Sequence, residues 1–129
     1  MCPSRSLALA LATLTALPGL AAATTPDPCV GKAGALFDAL GRADYHAAAA
    51  LMDAKLRGQS FPKPLPAMWE AMVKNNLGAY RGHGEGAATR NGDGTTTVSM
   101  PLKFERMDWT YLVTCDGAQG GAIDQLVMQ

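Results

Sequence analysis

Midway along the chain the spacing of apolar residues changes from a helical period to a period of two. That change decides the fold class, because side chains share a helix face every three to four residues and a strand face every second one. Before the change lie three helical stretches. Asp27 is placed to cap the first, with Pro28 in its first turn. Val30, Ala33, Leu36, Phe37 and Leu40 form its apolar stripe, and Gly41 is its stop. Asp44 caps a second helix, whose face is Ala48, Ala49, Met52 and Leu56 and whose end is Gly58. The Pro-rich run Phe61 to Pro66 reads as an extended connector, since each Pro biases its predecessor away from helix. A third helix is predicted from about Leu65 to Leu77, with Leu65, Met68, Trp69, Met72 and Val73 on one stripe and Gly78 as its stop.

After Gly78 the alternation predicts four strands. The first is 79–89, followed by the turn Asn91-Gly-Asp-Gly94, a strong hairpin signal. The second, 95–106, has Val98, Met100, Leu102 and Phe104 on one face and Thr97, Ser99, Lys103 and Glu105 on the other. Trp109, Tyr111, Val113 and Cys115 share a face of the third, and residues 122–128 form the last. Only one face of each strand is apolar, so the sheet is expected to pack its helices on one side. Pro101 cannot donate to a ladder and is expected to mark an edge or a bulge. The fold class is therefore α+β: three N-terminal helices on one face of a four-stranded antiparallel sheet.

Ahead of this pattern, residues 1–23 read as a secretory signal peptide. Arg5 supplies the positive start, Leu7 to Leu17 the apolar stretch, and Ala21-Ala22-Ala23 the small residues of a cleavage site. The apolar stretch falls short of the roughly 18 residues of a membrane span. The expected location is thus exported, periplasmic or secreted, with cleavage near Ala23. Residues 24–28 read as a flexible leader and 29–129 as a single domain. Cleavage removes Cys2 and leaves Cys29 and Cys115, which in an exported chain are expected to pair. Buried free thiols, or a reactive Cys29, are the alternatives. A bond closing so long a loop contributes about 4 kcal/mol in the chain-entropy model.

Eleven basic and eleven acidic residues give zero net charge, which excludes the dense positive face of a nucleic-acid binder. A hydrophobic fraction of 48 % excludes a disordered chain.

The order of three helices and a four-stranded meander resembles the nuclear-transport-factor-2-like, cystatin-like superfamily. Nearer still is a likeness to a small secreted bacterial domain of unknown function that also occurs ahead of some α/β-hydrolases. The residues concerned are Ala39 to Tyr45, Ala67-Met68-Trp69, Gly78-Ala79-Tyr80, Pro101 to Glu105 and Asp116-Gly117. The resemblance implies a cone-like fold with a pocket between helices and sheet, and it transfers no catalytic residue. The Gly-x-Ser-x-Gly nucleophile elbow of those hydrolases does not occur in this sequence.

Four residue groups invite chemistry. Gly82-His83-Gly84-Glu85-Gly86 looks like a phosphate loop, but such a loop follows a strand and opens a helix. It reads instead as a strand whose small face leaves room for large side chains such as Trp69 or Tyr111. His46, His83 and Glu85 are metal-ligand types without ligand spacing, so no metal site is assigned and His83 and Glu85 are expected to face solvent. Asp108 with Tyr45, Tyr80 or Tyr111 suggests an acid–tyrosine isomerase site, but Asp108 and Tyr111 fall on opposite strand faces. Met52, Met68, Met72, Met100, Met107 and Met128 could supply thioethers to Cu(I), yet methionine is foremost a filler of cores and pocket walls.

No nucleophile, base and orienter can be assembled from these residues. The expectation is an exported non-catalytic binding or interaction module without a cofactor, with an apolar cavity lined by Tyr45, Trp69, Met72 and Tyr111. Its partner would be a small apolar ligand or a protein, and a homodimer through the sheet is open to this fold class. The alternatives are a small lyase or isomerase using the same cavity, and an accessory to a separate secreted hydrolase.

Overall fold

The computed structural model describes residues 27–129, and the expected signal and most of the expected leader lie outside them. Asp27 and Pro28, the last leader residues, already belong to the domain. The Asp27 side chain accepts a hydrogen bond from the Cys29 amide, and Pro28 opens helix α1, Pro28–Gly41. Helices α2, Tyr45–Ala50, α3, Ala54–Ser60, and α4, Pro64–Met72, follow. α4 runs into a turn of π-helix, Val73–Leu77, that Gly78 ends with φ 77°. The strands are β1, Tyr80–His83, β2, Ala87–Arg90, β3, Thr95–Phe104, β4, Asp108–Asp116, and β5, Ala122–Met128. All pair antiparallel; β1 and β2 share one side of β3, and β4 and β5 continue on the other.

The α+β class is as expected, but four helices and five strands are described where three and four were expected. The expected second helix breaks at Leu51-Met52-Asp53. There the chain pairs with β5: the Asp53 amide donates to the Ile123 carbonyl and the Ile123 amide to that of Leu51. Asp53 then caps α3 through the Leu56 amide, so Gly58 lies inside a helix rather than at its end. α4 starts at Pro64, inside the stretch read as a connector. The expected first strand breaks at residues 84–86. The Pro101 carbonyl accepts from the Gly84 amide, so Pro101 faces this break. Successive strand residues alternate the side to which both their polar groups point, so the missing Pro N–H falls where the neighbouring strand is interrupted. A proline inside the second strand from the edge is tolerated for that reason.

The core lies between α1 and the inner sheet face. Leu36, Phe37 and Leu40 of α1 are buried against Val98, Met100 and Leu102 of β3 and Val113 of β4. Full burial of a side chain of this size contributes about 1.5–3 kcal/mol. Trp69 of α4 closes one side, stacked on Phe37 at 6.2 Å and edge-on to Tyr80 at 5.5 Å between ring centres. Cys29 and Cys115 form a disulfide that ties the start of α1 to the end of β4, with Cα atoms 5.8 Å apart. Both cysteines are buried.

Candidate functional site

Trp69 and Tyr111, expected in a cavity wall, are core residues. Each is 3 % exposed, and they lie on Phe37, with the Tyr111 ring centre 5.1 Å from that of Phe37. Tyr45 sits elsewhere, in a shallow groove with Glu70 and Lys74. Its hydroxyl donates to the Glu70 carboxylate, and this bond pushes its pKa up to about 12. The four expected lining residues thus divide between two places: Tyr45 and an edge of Trp69 line that groove, and Met72 meets Tyr111, because the aromatic stripe that looked like one wall fills the space between helices and sheet.

An apolar cleft opens beside this core, where the end of α4 meets the start of β4 and the end of β5. It holds about 230 Å³ and is lined by Met72, Asn76, Leu77, Met107, Trp109 and Met128. Three local features build it. The π turn that ends α4 carries Asn76 and Leu77 to one wall. The tight β3–β4 turn holds Met107 beside it, its carbonyl accepting from the Phe104 amide. Antiparallel pairing sets Tyr111 opposite Met128. The Tyr111 hydroxyl then reaches two sulfurs, 3.9 Å from Met72 Sδ and 3.6 Å from Met128 Sδ. Burial raises the Tyr111 pKa, so the phenol stays neutral.

The lining side chains are apolar apart from the Asn76 amide and the Trp109 indole, which carries an N–H. That N–H is buried and finds no acceptor among the described residues. A buried donor without an acceptor costs about 1–3 kcal/mol. Met107 and Met128, 48 % and 45 % exposed, stand at the mouth. Sequence reasoning missed Met107, Trp109, Asn76 and Leu77 as neighbours. Trp109 was legible as inward-facing, but Met107 lies in a turn, where periodicity says nothing.

The remaining candidates fall elsewhere. Among the described residues, no three His, Cys, Asp or Glu side chains come together as a metal site, and His46, His83 and Glu85 are not grouped. His83 packs over Gly34 of α1, where a Cβ would stand 2.8 Å from its Nε2. That Nε2 lies 3.4 Å from an Asp38 oxygen, and the other oxygen accepts from the Tyr80 hydroxyl at 2.9 Å. Burial, then the Asp38 bond, raises the Tyr80 pKa. Gly86 leaves room for Met100, Val98 and Val30 rather than for Trp69 or Tyr111. Asp108 is exposed and pairs in register with Lys103, away from any tyrosine hydroxyl it was considered with. No described helix is long and apolar enough to cross a membrane.

Compared with known proteins, the chain matches no family model, no curated protein and no solved structure.

Proposed function

We propose that this chain is a small exported, non-catalytic binding module that seats its ligand in the cleft between Met72 and Met128. One observation carries the reading. On a small domain with a filled core, three methionines, a leucine and a tryptophan converge on one open cleft, with two of the methionines exposed at its mouth. Exposed apolar surface gathered at a concavity, with few polar groups to orient a ligand, is the usual make-up of a binding site. Carboxylate and imidazole groups, the usual acids and bases, do not figure in the lining, so its chemistry suits holding a ligand rather than transforming one.

Export belongs to the same proposal. The signal-like start and the buried disulfide support it, since such bonds persist in oxidising compartments. So does the likeness to the nuclear-transport-factor-2-like superfamily, supported by the order of helices before an antiparallel sheet.

The test uses a neutral naphthylamine dye whose emission rises in apolar surroundings. Saturable binding near one dye per chain is expected, and Met128→Arg, which sets a charge at the mouth, should abolish it without lowering the melting temperature. Dye binding that survives Met128→Arg, or no binding to the unchanged chain, would contradict the assignment.

A further inference from the structure

We infer that the thioethers of Met72, Met107 and Met128 form a site for a soft monovalent cation, Cu(I). The inference rests on the cleft being the binding seat and names the class of ligand. The sulfurs come from three parts of the fold: the end of α4, the β3–β4 turn and the end of β5. Met72 Sδ and Met128 Sδ already flank one point, since both lie within 4 Å of the Tyr111 hydroxyl, at 3.9 and 3.6 Å. Methionine is unbranched and flexible, so small rotations about its side-chain bonds can bring such sulfurs onto one ion.

Met72 packs against the core, but packing alone does not account for Met107 and Met128. Met52 and Met100 fill the core as expected of methionine, at 3 % and 0 % exposure. Met107 and Met128 leave about half their surface in water, where a methionine contributes little to stability.

The chemistry of the lining selects the ion. Thioethers are soft, neutral donors that favour Cu(I), while Mg²⁺ and Ca²⁺ need several oxygen ligands and Zn²⁺ prefers thiolate or imidazole. The side chains lining the cleft carry no formal charge, so a divalent ion would sit there without a counter-charge, at a large desolvation cost. A single positive charge costs less, and the lining includes Trp109, a residue type whose π system attracts cations.

The test uses Ag(I), a soft monovalent ion that needs no reductant and so leaves the Cys29–Cys115 bond intact. The full chain carries Cys2→Ser, so that no free thiol competes. Native mass spectrometry should show one Ag(I) per chain. Met107→Leu and Met128→Leu, which keep apolar bulk, should each weaken binding by about tenfold or more, and the pair should abolish it. Met68→Leu should change nothing, because Met68 is also exposed, at 40 %, but lines a different groove, beside Leu56 and Leu126. The naphthylamine dye, run alongside on the unchanged chain and on Met68→Leu, should bind both. Ag(I) binding that survives the double variant, or its absence where dye still binds, would overturn the cation site and leave the cleft standing. Failure of dye and Ag(I) together would overturn the cleft as well.

Discussion

Gly41 stops α1 in the sequence reading, but its backbone is helical and the left-handed residue comes two positions later, at Ala43 with φ 57°. Gly41 is needed for a different reason: a Cβ there would fall on the Tyr80 ring. The ring cannot easily yield, because Asp38 holds its hydroxyl and Trp69 and Phe104 pack edge-on to it. Gly41→Ala should therefore cost about 1–3 kcal/mol, as overpacking does. An ordinary helical Gly→Ala change would instead gain about 1 kcal/mol, so the sign of the shift in urea midpoint checks the contact. Asp124 is a second residue out of step with its surroundings. One of its oxygens is buried without a donor among the described residues. Its pKa is raised by burial first and then by Asp116 and Asp53. A carboxyl whose folded pKa lies above its unfolded one contributes stability at low pH, and that contribution is lost as pH rises through the folded value. At neutral pH the ionised Asp124 is thus destabilising. Asp124→Asn should stabilise the fold at pH 7, by less than about 1 kcal/mol given the screening of a partly exposed group, and so raise the melting temperature. The gain should shrink as pH falls towards about 4. A variant that melts lower at pH 7 would contradict this account.

Among the elements, regular patterns were legible and their interruptions were not. The stripe of α1 and the inner faces of β3 and β4 are buried as their periods predict, because burying one face is what periodicity records. The break at Met52 was not legible. Its cause is an edge pairing with Ile123, some seventy residues on, and local propensity in an alanine-rich run favours an unbroken helix. The gap between β1 and β2 was half legible: Pro101 announced an irregularity, but its place depended on which strand it faced. The site shows the same division. Met72 and Tyr111 were legible because they lie on periodic faces, whereas Met107 and the π turn were not. Among the described residues, the pairing of Tyr111 with Met128 and the turn that follows Phe104 bring the cleft residues together, and both are consequences of register rather than of local sequence.

Across the whole molecule, the disulfide and the cleft occupy opposite ends of β4. Cys115 lies near the end of that strand and Trp109 near its start, about 20 Å apart at the usual strand rise. The bond spans a sequence separation of 86, so it constrains most of the unfolded domain. Replacing both cysteines by alanine should cost about 2–5 kcal/mol by urea denaturation while leaving dye affinity unchanged. Loss of affinity in a variant that is still folded would tie the cleft to the far end of the sheet and contradict this separation. The central claim, that the cleft lined by Met72, Met107 and Met128 is where this protein binds, is tested most directly by nuclear magnetic resonance of the chain labelled at its methionine methyl groups. On adding Ag(I) or the dye, the methyls of Met72, Met107 and Met128 should shift, and those of Met52, Met68 and Met100 should stay in place. Shifts concentrated at Met68, or spread evenly over all the methyls, would place the binding surface elsewhere and contradict the account.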